Sequence, residues 1–427
     1  MNKQYYPGLD ETLYSQTLPN GLHVMVCPKQ GFSKKLCYFA ADFGAVHRNF
    51  TLEGQHYEMP AGIAHYLEHK MFDMPQGDVS REFAARGASV NAFTSYDMTA
   101  YYFSCTEHFE DCLRLLLEFV STPYFTEETV QRERPIIGQE ISMSADEPGS
   151  RVFENLMPAL YAQHPIRTPV LGTQEEIEKI TPEMLHLCHR GFYNPANMLL
   201  CVVGDVDADA VVDIARQVLG DARRPMAEKD DFPTEEMKYV LPLVQEQMPI
   251  AMPIFSLALK AWCPEKGEAA IRREIVGDLA SEALFGESSQ LYLQLYRQGL
   301  IDSSFGGGFD TVDGCAMLCC GGDSDDPEAV RDAILAQGER LIREGIQEAD
   351  FRRMKRSAMG RRIRDLDSFD ATCFRLCAYR MSDFDYFRFP ELYDRIECGE
   401  VQEFLAQVVH PEGCSLSVIY PIKEDNK

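Results

Sequence analysis

No stretch of this 427-residue sequence is apolar for long enough to span a bilayer, so no membrane partner is expected. The opening residues, MNKQYYPGLDETLYSQ, lack the apolar core of a secretory signal. Export by that route is not expected, and a cytoplasmic location is. Basic residues are few, 41 Lys and Arg against 67 Asp and Glu, for a formal net charge of −26. Binding to phosphate backbones needs a basic surface, so nucleic acid is excluded as a partner. The acidity suits attraction of cationic peptides into an acidic cavity, and it equally suits mere solubility. Cysteine is not scarce, at fourteen, but the paired spacing of a zinc ribbon is missing from Cys315/Cys319/Cys320 and from Cys373/Cys377. No metal is assigned to them. The thiols are scattered, several within apolar segments (Cys37, Cys201, Cys320), and read as buried and reduced.

What remains is an ordinary folded composition, 45% hydrophobic and 25% charged, in a chain long enough for two domains or three. Asn20-Gly21 after Pro19 marks a turn between LYSQTL and LHVMV, so the chain opens with a hairpin. LCYFAADFG reads as a strand ending at Gly44. Helical periodicity follows in AGIAHYLEHKMF and DVSREFAARG. ASVNAFTSYDMTAYYFSC alternates around Ser95–Asp97 as a second hairpin. Helices come next at about 107–121 and 126–146, with more to about 193. The strand MLLCVVG and the helix DADAVVDIARQVLG close this half.

Residues 226–244 lie in a proline-bearing stretch without a clear period and read as a linker. Beyond it the order recurs: the strand IFSLALKAW, helices at about 267–285 and 288–298, and a Gly-rich hairpin from SSFGGGFD to CAMLCCGG. Two helices, Pro327 to Glu344 and Glu348 to about Arg364, precede the strand SLSVIY. The expected fold class is α+β. Two tandem homologous α/β-sandwich domains, 1–225 and 245–427, each hold an antiparallel-rich sheet covered by helices on one face.

His65 and His69, four residues apart on a helix, project from one face one turn apart, a geometry suited to two imidazole ligands on one zinc ion. Glu68 borders that face. A carboxylate there can take a proton from water activated by the metal and deliver it to a departing amine. By composition alone a chance His-x-x-Glu-His arises in a chain of this length with odds on the order of one in fifty. A third ligand must be found elsewhere. The stretch FTEETVQRERPIIGQEISMSA offers Glu133 and Glu140, seven residues apart on one approximate stripe, with Pro135 between them expected to kink or start a helix. Glu140 is assigned as the third ligand and Glu133 as a support orienting a ligand or the base. Asp146 and Glu147 are the alternatives to Glu140.

These residues resemble the pitrilysin/insulinase zinc peptidases, or inverzincins, along nearly the whole chain. HYLEH at 65–69 matches their inverted motif. GASVNAFTS at 87–95, RERPIIGQEI at 132–141, HPIRTPVLGT at 164–173 and NMLLCVVGDVD at 197–207 are similar to family landmarks. LEHKMF and GASVNAFTS look most like the bacterial YmfH-like subgroup. The resemblance implies that the second glutamate of the pair, Glu140, binds zinc. The 71 residues from His69 to Glu140 are fewer than the family suggests, and a shortened loop after Phe72 would account for that. It also implies two such halves per chain, paired so that two chains enclose a chamber. Unfolded peptides would add to the edge strand Asn91, Ala92, Phe93, Thr94 and be cut beside the metal. One departure concerns the family's Arg…Tyr pair, where Tyr296 stands in the arginine position and Asp302 in the tyrosine position. Arg297 is displaced by one residue.

The expected function is a zinc-dependent endopeptidase subunit with one Zn2+ per chain. Peptides are its substrates, and its partner is a homologous second subunit supplying the Arg/Tyr pair, or otherwise a second copy of itself. The alternative is a catalytically weak metal-binding scaffold or peptide-binding subunit of a heterodimeric peptidase. A cysteine hydrolase has little support, because no Cys sits beside a plausible His in a recognisable local motif.

Overall fold

The computed structural model of the chain describes residues 1–262, 264 and 266–422. It divides into two compact units that interleave along the sequence. The first comprises Met1–Ile141, Pro169–Asp231 and Ile363–Arg388. The second comprises Ser142–Thr168, Phe232–Arg362 and Phe389–Lys427, of which the last five residues lie outside the described ones.

The first unit is built on a seven-stranded sheet. In spatial order its strands are Asn2–Tyr6, Glu11–Thr17, His23–Pro28, Met198–Gly204, Lys35–Ala41, Thr99–Cys105 and Ser89–Thr94. Met198–Gly204 runs parallel to His23–Pro28 and antiparallel to Lys35–Ala41. Ser89–Thr94 pairs with Thr99–Cys105 alone and so forms an edge. Alternation along the strands sorts side chains onto two faces. Phe103 and Cys37 are opposite each other and join a core with the helix Phe109–Ser121. The neighbouring pair Tyr102 and Tyr38 lies on the other face, which the helix Phe369–Met381 covers. Phe374 of that helix meets Phe93, with ring centroids 6.0 Å apart.

The second unit has a five-stranded sheet in the order Leu243–Met248, Cys414–Pro421, Ile254–Ala261, Cys315–Asp323 and Gly306–Val312. Val152 of the helix Pro148–Leu160 packs on one face with Ile419 and Met248. On the opposite face Phe309 lies against Gly277 and, edge-on, against Phe404 of the helices Glu268–Phe285 and Cys398–Val408.

The expectation of helices on one face is therefore corrected: each sheet is covered on both. The reason is legible in MLLCVVG, every residue of which is buried, because a strand apolar on both sides needs cover on both. In each unit one covering helix comes from the other half of the sequence, Phe369–Met381 in the first and Pro148–Leu160 in the second. The stretch read as a linker, 226–244, is also not bare. Glu228–Lys229 pairs with the strand Asn49–Leu52, and Leu243–Met248 lies parallel to Cys414–Pro421. Pro135 neither starts nor ends a helix, since Glu127–Asp146 runs through it with Val130 and Ile137 buried on either side. Among the described cysteines all are free thiols, and all but Cys319 and Cys398 are buried. Among the described residues no helix is long and apolar enough to cross a membrane.

Candidate metal centre

The helix carrying the histidines, Ile63–Met71, is positioned by two glycines. Gly62 precedes it at φ 84°, and a Cβ there would stand 2.5 Å from Leu171 O. A Cβ on Gly172, at φ 75°, would meet Ala61 O at 2.6 Å. Backbone therefore presses on backbone at the helix start, which only glycine allows. Glu176 Oε2 also accepts the Ala61 N–H at 3.2 Å. Ile63, Tyr66, Leu67 and Met71 bury the helix against the core, and His65 and His69 follow one turn apart with ring centroids at 4.5 Å.

The helix Glu127–Asp146 is tied to it by hydrogen bonds from Tyr66 OH to Val130 O, 2.6 Å, and from Lys70 Nζ to Thr129 O, 3.0 Å. It brings Glu140 Oε2 to 3.6 Å from His65 Nε2 and 3.6 Å from His69 Nε2. The three residues form a cluster whose ligand atoms lie within 4.8 Å of one another. Ligands about 2.0–2.1 Å from a tetrahedral zinc stand roughly 3.4 Å apart. Both the spacing and the two-nitrogen, one-oxygen donor set thus fit that ion. The Glu140 side chain is 43% exposed, which leaves the fourth side accessible to solvent.

The two imidazoles are in unlike surroundings. Burial, and then the charge of His69, push the His65 pKa down to about 3, so the ring stays neutral, the form that binds metal. His65 Nδ1 is buried with no hydrogen-bond partner among the described residues. His69 is held instead by Glu133, whose Oε1 lies 3.0 Å from Nδ1 and leaves Nε2 facing Glu140. Burial opposes the charged form of His69, but the Glu133 hydrogen bond and the charges of Glu68, Glu133 and Glu140 outweigh it and raise its pKa. Glu133 Oε2 lies 3.8 Å from Nζ of the fully buried Lys70, which also pairs with Asp73.

Glu68 stands beside the cluster and outside it. It is 8% exposed, and its Oε2 accepts a hydrogen bond from Thr94 Oγ1 at 2.6 Å. Burial raises its carboxyl pKa, with the Thr94 hydrogen bond and the charge of His69 pulling the other way. A carboxylate so raised suits a general base.

The edge strand Ser89–Thr94 places its residues on both faces. Ala92 and Thr94 face the motif helix side. Asn91 and Phe93 share the other face, Asn91 opposite Tyr102 and Phe93 near Tyr38 at 6.3 Å. The Asn91 side chain folds back, its Oδ1 accepting the Ala92 N–H at 2.8 Å. Glu147, the alternative third ligand, caps the helix Pro148–Leu160 by accepting the Ser150 N–H, and neither it nor Asp146 is in the converging cluster. After Phe72 the chain makes only the short hairpin of Asp73–Met74 and Gly77–Asp78. In the second unit Tyr296 is exposed and stacks on Tyr292 at 5.9 Å, with Arg297 exposed beside it. Asp302 accepts from Ser304 N–H and Oγ at 2.7 and 2.6 Å, which hold its carboxyl below the ordinary range.

Two features of this centre escaped the sequence reading. Lys70 had a local signal, since Ile63, Tyr66, Leu67 and Lys70 follow the i, i+3, i+4, i+7 spacing of a buried stripe. The link from Thr94 to Glu68, 26 positions apart, had none.

Comparison with known proteins follows the same lines. Residues 53–174 match the family model described as Insulinase (Peptidase family M16), and residues 179–358 the model described as Peptidase M16 inactive domain. An uncharacterized zinc protease of Bacillus subtilis, YmfH, is 35% identical over 427 residues, covering 97% of this chain and 98% of that one. An uncharacterized zinc protease of Mycobacterium leprae is 32% identical over 165 residues, 38% of this chain and 37% of its own. The crystal structure of an M16-like peptidase from Alicyclobacillus acidocaldarius superposes with a TM-score of 0.93 at 31% identity, covering 97% of this chain and 99% of that one. A protease from Helicobacter pylori superposes at 0.79 with 20% identity, over 96% and 99%, and shares the fold. By its whole-length likeness to these relatives, the chain belongs to the M16 (insulinase and pitrilysin) family of peptidases.

Proposed function

We propose that this chain is a cytoplasmic zinc-dependent endopeptidase subunit that cleaves unfolded peptides, and that its two sequence halves, 1–225 and 245–427, arose by duplication of one order of elements. The observation that carries the reading is the convergence of His65 Nε2, His69 Nε2 and Glu140 Oε2 at 3.6 Å, with Glu68 held beside them by Thr94. His65, His69 and Glu140 would hold one Zn2+, which when bound lowers the pKa of water toward about 7 and polarises a carbonyl. Glu133 keeps His69 turned toward the cluster. Glu68 takes the proton of the attacking water and passes it to the departing amine.

A peptide would add in extended form to Ser89–Thr94, its carbonyl replacing Asn91 Oδ1 on the Ala92 N–H. Recognition of main chain makes side-chain selectivity modest and excludes folded proteins. The names of the relatives, zinc proteases of B. subtilis and M. leprae, support the metal and the reaction class.

A second reading, a metal-retaining but catalytically weak subunit, is favoured by Tyr296 and Asp302 at the Arg…Tyr positions. The test is metal analysis and peptide hydrolysis of the wild type and two variants. About one zinc per chain is expected, strongly reduced in Glu140→Gln. Glu68→Gln should keep zinc and lose hydrolysis by several powers of ten. Full zinc in Glu140→Gln would remove Glu140 from the ligand set, and unchanged cleavage by Glu68→Gln would remove Glu68 from the mechanism.

A further inference from the structure

Thr94 is the last residue of the edge strand, opposite Thr99 and directly before the turn that returns to Thr99–Cys105. That turn is fastened. Ser95 N–H donates to Met98 O at 2.8 Å, and Ser95 Oγ lies 2.8 Å from Asp97 Oδ1. Thr99 Oγ1 donates to Phe43 O at 2.8 Å and lies 3.4 Å from Thr94 Oγ1. The Thr94 hydroxyl therefore sits on rigid backbone. Its hydrogen goes to Glu68 Oε2 at 2.6 Å, a short bond of the kind made to a carboxylate. A threonine at a strand end is by itself an ordinary strand former, and a structural residue would leave Glu68 indifferent to the hydroxyl.

Resting on the peptidase reading above, we infer that Thr94 is a positioning residue for Glu68. Its hydroxyl fixes the carboxylate by Oε2 and leaves Oε1 to take the proton of the attacking water. The same strand receives the peptide, so the segment that docks the substrate also sets the base, and the two cannot drift apart. Thr94 needs no contact with the reacting atoms for this. A general base held loosely is misaligned for much of the time, and small misplacements are costly in rate.

The experiment compares zinc-loaded Thr94→Val, which keeps the shape without the hydroxyl, with Thr94→Ser, which keeps the hydroxyl. Expected for Thr94→Val are full zinc content, a KM within about twofold of wild type, and a kcat lower by roughly ten- to a hundredfold, the worth of a hydrogen bond to a charged group. Thr94→Ser should recover most of that kcat. A crystal structure of Thr94→Val should show the Glu68 carboxylate turned away from its wild-type position, and that of Thr94→Ser should show it held. An undiminished kcat in Thr94→Val, a loss that Ser does not rescue, or an unmoved carboxylate would each overturn the inference. A zinc-loaded wild type with no turnover in any pairing would instead overturn the peptidase reading. The carboxylate positions in the two crystal structures would then decide the role of Thr94 alone.

Discussion

Burying a lysine ammonium without partners costs several kcal/mol even after the protein relaxes, and Lys70 is 0% exposed. Its partners explain it. Asp73 and Glu133 supply the charge, and Thr129 O accepts a hydrogen bond from the neighbouring helix. The side chain thus cross-links the helix of the histidines to the helix of the glutamates, and it steadies the carboxylate that orients His69. Outer partners of a ligand contribute strongly to metal affinity, typically about ten- to a hundredfold. Lys70→Met should therefore weaken zinc binding by about that factor, measured in competition with a chromophoric chelator. Zinc affinity equal to wild type would show that Lys70 ties the helices together without bearing on the metal.

At the scale of elements, the turn after Pro148–Leu160 shows how Glu235, within the stretch read as a linker, holds the second unit. Glu235 accepts the N–H groups of Ala162, Gln163 and His164 at 3.0, 2.6 and 2.8 Å, and its Oε2 lies 3.1 Å from Lys260 Nζ. Burial alone would raise the Glu235 pKa. The three N–H groups and Lys260 outweigh it and bring the pKa down to about 2 from 4.5. A depressed carboxyl stabilises the fold above its unfolded pKa, and that contribution fades as pH falls from about 4.5 toward 2. The shift corresponds to about 3 kcal/mol at neutral pH. Glu235→Gln should lower stability by an amount of that order at pH 7, and the gap to wild type should shrink below about pH 4.5, as read by denaturant unfolding. A gap unchanged with pH would show that packing, not charge, is what Glu235 contributes. The helix Phe369–Met381 illustrates the opposite difficulty. Five of its six buried positions, Phe369, Thr372, Cys373, Leu376 and Cys377, follow helical spacing. Thr and Cys in that stripe blur the apolar signal, and the helix escaped the sequence reading.

For the whole molecule the proposed partnership with a homologous subunit has a measurable consequence. Neither Tyr296 nor Asp302 offers a cation, and Asp302 is engaged by Ser304 with its charge retained. Negative charge develops on the carbonyl oxygen during attack, and losing one donor to it typically costs about 3 kcal/mol, roughly a hundredfold in rate. On the proposal that a homologous subunit supplies those donors, the zinc-loaded chain alone should turn over slowly. Copurification from the native source should recover that subunit at equal stoichiometry, and adding it should raise kcat by about that factor. Full activity of the isolated chain, with no gain from any homologue, would exclude such a partnership.

His65 and His69 share a face because four residues make about one helical turn. That relation is local, and the sequence determines it, as it does the alternation that marks 89–94 and 99–105 as a hairpin and the recurrence of one order of elements in both halves. The approach of Glu140 to the two rings is of another kind. Glu140 lies 71 residues beyond His69, and its approach depends on its helix being drawn in by Tyr66, Lys70 and the burial of Val130 and Ile137. The bond from Thr94 to Glu68 depends likewise on a hairpin docking against that helix, and the cover on the second face of each sheet on a helix borrowed from the other half. Periodicity reports which side of an element is apolar, because side-chain direction repeats along the backbone. Which apolar side meets which is settled only when the whole core packs, since many pairings bury similar area and only close packing of all of them together selects one.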